Sequence, residues 1–280
     1  MSSVGSRYAP EGAPDYSHRF HAGNVGDVWK HCALVEILRR AAAGRGAVRY
    51  VDTHAGEGRY ALAPTGEWTE GIGRLWDARD LDDGAVARYV AVCRRFVPGG
   101  ERPGSYPGSP LLARAVLGDG AALVLWERDA AACEQLHANV AAARITCGDG
   151  LAALTSLMDA TVVLIDPPWT QKADWIAVPD AVIAAARALP GACLVLWYPV
   201  KSLTRPNAML ARFEAEGVPG TIAELVTTSL KHQRHRLNGS GVLLVRPPAG
   251  TLEALAASAP TIGRACATRQ GAWSFRTHAW

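Results

Sequence analysis

The chain has no uninterrupted apolar run of the roughly 18 residues a membrane-spanning helix needs. Its opening stretch, Met1 to Pro14, is small and polar with no apolar segment of the signal-peptide kind. A soluble, cytoplasmic protein is expected. A strong charge excess is also missing. With 29 Lys+Arg against 26 Asp+Glu the net charge is +3. That permits a nucleic-acid partner but excludes a histone-like coat of charge. The six cysteines form no C-x-x-C pair and match no zinc-ligand spacing. They are expected to be buried free thiols in a reducing compartment. No Gly-Lys-Ser/Thr follows any glycine-rich turn, so a phosphate-cradling loop is not expected. Repeats, low-complexity tracts, heptads and exposed apolar stripes are missing too, and a monomer is expected. What remains is ordinary: 49% hydrophobic and 20% charged residues over 280 positions. Such a chain folds as one large domain or two small ones.

Residues 1–15 read as a tail rich in Ser, Gly and Pro, and residues 16–280 as one domain. A helical stripe over 25–43 carries Val28, Cys32, Leu34, Val35, Ile37 and Leu38. Residues 47–51 form a short strand. Residues 59–107, broken by glycines, prolines and an acidic run, read as an insertion subdomain. Ser109–Pro110 then opens a helix. From there strands and helices alternate. Strands are expected over 121–126, 144–147, 161–165 and 192–198, and a final pair over 221–230 and 241–246. Helices are expected over 129–143, 151–157, 177–189 and 209–216. Strands without polar alternation belong to a sheet covered on both faces. The fold class is therefore α/β: a mostly parallel, doubly wound, Rossmann-like sheet.

Ligands of such sheets bind beyond the carboxyl ends of the strands. Four successive strands end in an acid: Asp52, Glu127, Asp149 and Asp166. A single acid after a strand is equally well a helix cap. Four in order, with the glycine turn Asp52-x-x-x-Gly56-x-Gly58, fit one site better. Glu127 is placed to accept hydrogen bonds from ribose hydroxyls. With no phosphate loop, S-adenosylmethionine is preferred over NAD or ATP. The sharpest feature is Asp166–Pro167–Pro168–Trp169. The exocyclic amino nitrogen of a base is a poor nucleophile, because its lone pair is delocalised into the ring. A carboxylate at Asp166 and the carbonyl of Pro167 can accept its two hydrogens, which favours the pyramidal transition state. Trp169 can stack on a base flipped out of its helix. His21, His31 and His54 lack metal-ligand spacing, and no metal is expected. The basic run 231–236 is either a solvated loop or a phosphate contact.

The chain resembles the bacterial 23S ribosomal RNA adenine-N6 methyltransferase J family from about Tyr16 to the C-terminal region. The carrying segments include His21–Ala22–Gly23–Asn24, Asp27–Val28–Trp29–Lys30–His31 and Asp52–Thr53–His54–Ala55–Gly56. Tyr106–Pro107–Gly108–Ser109–Pro110, Asp166–Pro167–Pro168–Trp169 and Leu196–Trp197–Tyr198–Pro199 extend the match. The resemblance implies a methyltransferase with a small helical insertion, acting on 23S ribosomal RNA. It implies cofactor contacts at Lys30 or His31, His54, Gly56, Ser109, Glu127, Asp149, Gly150 and Asp166. Lys30 or His31 would meet the methionine carboxylate and Asp149 the adenine amino group. Asp166 corresponds to the catalytic acid, and Tyr16 to a tyrosine that meets the RNA. The family commonly has Tyr where this chain has Trp169; stacking survives, but a phenol hydrogen bond does not. The Asp-Pro-Pro-aromatic motif alone also serves DNA adenine, cytosine N4 and guanine N2, so those substrates stay open on the residues themselves. So does a non-enzymatic RNA-binding role on the same scaffold.

Overall fold

The computed structural model describes residues 18–44, 47–78, 81, 84–97, 99–100, 102–157, 159–230, 237–268 and 272–280. The tail, Tyr16 and the basic run 231–236 lie outside the described residues. A short helix α1 (His18–His21) turns at Gly23 into α2 (Val25–Gly44). Asn24 Oδ1 accepts from the Asp27 backbone N–H, and Asp27 Oδ2 accepts from that of Gly23. This reciprocal cap starts the helix where the sequence places it. Helix α2 is buried almost all round.

The chain then enters β1 (Arg49–Asp52). Residues 59–107 hold β2 (Arg59–Ala61), a 3-10 turn (Glu67–Glu70), α3 (Ile72–Trp76), α4 (Ala85–Arg94) and β3 (Ser105–Pro107). Strands β2 and β3 pair antiparallel and close the segment at its two ends. Its buried residues, among them Ile72, Leu75, Tyr89 and Val90, share one apolar cluster with α2.

Next come α5 (Ser109–Leu117), β4 (Ala122–Glu127), α6 (Ala130–Asn139), β5 (Arg144–Cys147), α7 (Gly150–Leu154) and β6 (Val162–Ile165). They are followed by α8 (Asp174–Ala188), β7 (Cys193–Val200), α9 (Thr204–Ala215), β8 (Thr221–Val226) and β9 (Gly239–Val245). The chain ends with α10 (Thr251–Cys266) and β10 (Ser274–Ala279). The main sheet has the order β10-β8-β9-β7-β6-β1-β4-β5. Strands β7, β6, β1, β4 and β5 run parallel. The β7–β9, β9–β8 and β8–β10 pairings are antiparallel. One apolar cluster lies under α2, α4, α5 and α10, and a second under α7, α8 and α9. Both faces of the sheet are thus covered, as apolar strands require. Successive connections from β1 run outward to β4 and β5, and the chain then returns to β6 on the other side. The order reverses between β1 and β6, where such sheets bind ligands.

Four expectations need correction. Helix α6 stops at Asn139 instead of 143, because Val140 turns into the core and packs over Gly58. Helix α9 starts at Thr204 instead of 209, since Pro206 sits in its first turn, where no intrahelical N–H is needed. Strand β8 ends at Val226 instead of 230; the N–H groups of Thr227 and Thr228 both turn to the Asn238 carbonyl. The fourth concerns cysteine. Cys32, Cys93, Cys193 and Cys266 are free and buried, but Cys133 and Cys147 are joined by a disulfide. Helix α6 folds back along the β5 edge and brings their Cα atoms to 5.8 Å, a separation that linear spacing does not reveal.

Candidate active site

At the end of β1, Asp52 is fully buried. Its Oδ2 accepts from the Tyr50 and Ser109 hydroxyls, each at 2.7 Å, and its Oδ1 from the His54 backbone N–H at 3.1 Å. Burial pushes its carboxyl up to about 6, against the pull of these donors. The loop that follows is pinned on both sides. Thr53 N–H donates to the Leu164 carbonyl on β6, and Ala55 N–H to the Trp126 carbonyl on β4. Gly56 N–H donates to Glu127 Oε2 at 2.8 Å. Gly56 and Gly58 have φ of +62° and +75°, a region glycine enters freely. Glu127 Oε1 accepts from the Asp129 N–H at 2.8 Å, so this one carboxylate joins two strand-end loops. Asp149 is exposed and caps α7 through Oδ1, which accepts from Leu151 and Ala152. Its other oxygen has no hydrogen-bond partner among the described residues. Gly150 is buried against the first loop, and a Cβ there would collide with the Thr53 carbonyl oxygen. His54 lies amid these acids. Burial lowers its imidazole, although Asp166, Glu127 and Asp149 all pull the other way.

At the end of β6, Asp166 meets a buried cation. Lys30 Nζ, reaching across from α2, lies 2.5 Å from Asp166 Oδ2 and 2.7 Å from Asp27 Oδ1. Burial alone would lower the Lys30 ammonium. The two carboxylates outweigh it and hold the group well above the ordinary lysine range. Lys30 is therefore charged, and it sits over the Trp197 ring at 5.6 Å from the centroid. Asp166 Oδ1 and the Pro167 carbonyl have no hydrogen-bond partner among the described residues. Trp169 closes the loop with φ +53°, unusual for a bulky residue. The residue is 8% exposed, its ring centroid lies 4.3 Å from that of Trp175, and its Nε1–H donates to the Trp197 carbonyl.

A profile of the family described as "Ribosomal RNA large subunit methyltransferase D, RlmJ" matches residues 45–279. The chain belongs to this family. Proteins of Haemophilus influenzae and Escherichia coli, both named ribosomal RNA large subunit methyltransferase J, are each 31% identical over 245 residues. The match covers 83% of this chain and 87% of each relative. The crystal structure of protein LPL1258 from Legionella pneumophila is similar with a TM-score of 0.84 and 24% identity. It covers 92% of this chain and 98% of that one. The fold is the α/β, doubly wound, Rossmann-like fold.

The strand-end acids therefore lie along one edge of the sheet, on neighbouring strands in the order β5, β4, β1, β6. The structure gives several of the nominated residues an internal partner. Ser109 serves Asp52. His31 is buried, its Nδ1 2.6 Å from the Tyr106 hydroxyl, which in turn meets that of Tyr89. Lys30 is engaged by Asp166 and Asp27, not left open for a ligand carboxylate. The Trp169 ring, nominated as a stacking platform, is packed inward. His21, His31 and His54 go to separate partners: Glu67, Tyr106 and Thr53. Sequence reasoning missed the roles of Asp27 and Tyr50. The signal for each was spacing. Asp27 lies three residues from Lys30 on one helix, and Tyr50 two residues from Asp52 on one strand.

Proposed function

We propose that this chain transfers a methyl group from S-adenosylmethionine to the exocyclic N6 of an adenine in 23S ribosomal RNA. The observation that carries the reading is the Lys30–Asp166 pair beside the open Pro167 carbonyl at the β1/β6 switch point. The residues beside it suit the cofactor. Gly56, Gly58 and Gly150 let the strand-end loops pack closely, where a Cβ would collide with the Tyr60 hydroxyl, Val140 and the Thr53 carbonyl. Glu127 has lone pairs left for ribose hydroxyls, and Asp149 Oδ2 remains for an adenine amino group. His54, neutral at physiological pH, lines the same crevice. When bound, S-adenosylmethionine supplies an electrophilic methyl group on a sulfonium.

The chain's own part is positioning and charge compensation. Lys30 grips one oxygen of Asp166 and leaves Oδ1 to accept one N6 hydrogen. The Pro167 carbonyl accepts the other. The two acceptors hold the nitrogen with its lone pair directed out of the ring plane. The carboxylate also compensates the positive charge that grows on that nitrogen. Asp27 holds Lys30 from behind and fixes which oxygen it takes. Trp169 stacks on the flipped adenine after leaving its seat on Trp175, and Tyr16 meets the RNA. The substrate is intracellular, and a monomer suffices for this chemistry.

Asp166→Ala tests the reading. Methyl transfer to ribosomal RNA is expected to vanish, while S-adenosylmethionine binding by titration calorimetry changes little. Turnover retained in that variant removes Asp166 from the mechanism.

A further inference from the structure

We propose that Cys133, His137 and Cys147, once their disulfide is reduced, form a three-ligand site for a thiophilic divalent cation of the zinc class. Cys133 and His137 stand four residues apart on α6, so their side chains share one helix face. Cys147 ends β5, the edge strand of the sheet. Ligand atoms from all three residues lie within 4.8 Å of one another. Cys133 is buried, while His137 and Cys147 are exposed. A cation can thus enter from solvent and settle against one dry sulfur.

The disulfide accounts for only two of these residues. The His137 ring has no hydrogen bond, ion pair or ring contact among the described residues. The other described histidines with assigned contacts, His21, His31, His54 and His278, each meet a protein partner. Two thiolates and one imidazole suit zinc, at about 2.3 Å for sulfur and about 2.0 Å for nitrogen, with a fourth position for water. The sulfurs then stand about 3.8 Å apart, by tetrahedral geometry on those bond lengths. Side-chain rotation supplies this opening over a Cα separation of 5.8 Å.

The two states exclude each other. A phosphine reductant breaks the S–S bond and becomes the phosphine oxide with oxygen from water, and each sulfur gains a proton. The cation then displaces those two protons as two sulfur–metal bonds form, with no electron transfer. The site is separate from the methyl-transfer crevice, and its test does not depend on that activity. It is close to the crevice all the same. Cys147 is the register partner of Glu127, and Asp149 follows two residues later. A cation here would clasp α6 to the strand that delivers Asp149.

The test uses the full chain, reduced with a phosphine and desalted, and titrated with Co2+ alone and then with Zn2+. One Co2+ per chain, a thiolate-to-cobalt absorption band in the near ultraviolet and its loss on adding Zn2+ are expected. Zn2+ should raise the Tm of the reduced chain, and a chelator should reverse the rise. The oxidised chain should take up no cation. Cys147→Ser should abolish the band, and His137→Ala should weaken binding at least about tenfold. Both residues are exposed, so neither variant threatens the fold. No uptake by the reduced chain at micromolar cation overturns the proposal. So does uptake by either variant equal to that of the unaltered reduced chain.

Discussion

Lys30 is the residue on which the site turns. It is buried between two carboxylates and hydrogen-bonded to both, and hydrogen bonds between ionised groups are the strong ones. Removing one partner of such a group leaves like charges facing each other in a dry place, at a cost of about 3–5 kcal/mol. Lys30→Met is therefore expected to lower stability by several kcal/mol in urea unfolding. It should also cut kcat far more than it changes cofactor affinity, because Asp166 loses its orientation. A variant with wild-type kcat would show that the pair is only structural. Asp52 carries a pH dependence of known sign. Its folded value of about 6 lies above the unfolded value of about 3.9. Between those values the folded state binds the extra proton. Stability is thus greatest below the window and falls by about 3 kcal/mol as pH rises through it. Asp52→Asn removes this slope. The wild-type stability advantage over the variant should shrink by about 2 kcal/mol between pH 4 and pH 7, and an unchanged difference contradicts the assignment.

At the scale of elements, the proposed stacking role of Trp169 requires the loop after β6 to move. Trp169 is held inward by Trp175 and by the Trp197 carbonyl, on a backbone that bulky residues rarely adopt. Such conformations persist where the surroundings over-determine them, and they gather at functional loops. Base–aromatic stacking contributes about 1–3 kcal/mol per base. Trp169→Ala is accordingly expected to raise the KM for RNA by about 5- to 150-fold, by the same stacking free energy. Binding of RNA should shift the tryptophan emission of the wild type and shift that of the variant less. An unaltered KM would leave Trp169 as a core residue. The candidate chemistry of the loop is read from its letters, an acid, a carbonyl and an aromatic ring following an apolar strand. Its resting conformation is not, because it depends on Trp175 and Trp197, which come from α8 and β7. Asp149 illustrates the opposite limit: it is a helix cap and a candidate ligand at once, and sequence cannot separate two roles that use different oxygens of one carboxylate.

At the scale of the whole molecule, period and punctuation reveal the alternating strands and helices from β4 to β7, because buried parallel strands are continuous apolar runs. The order of the strands, and with it the meeting of β1 and β6, depends on contacts that no local pattern encodes. Helix α10 is absent from the sequence reading, although Leu255, Ala259, Ile262 and Cys266 carry its spacing. Strand β10 has no such signal. It is mostly polar and is held at the edge by pairing with β8 and by Arg276 on Glu224. The α2 cation reaching a β6 acid is likewise a contact across 136 positions, invisible to local pattern. The central claim concerns what this assembled edge does, and one measurement tests it most directly. The chain is incubated with methyl-labelled S-adenosylmethionine and undermethylated ribosomal RNA, with genomic DNA in a parallel reaction, and the products are digested to nucleosides. The account predicts label in N6-methyladenosine from 23S RNA and none in DNA. Label on another base, in DNA, or in neither nucleic acid would contradict it.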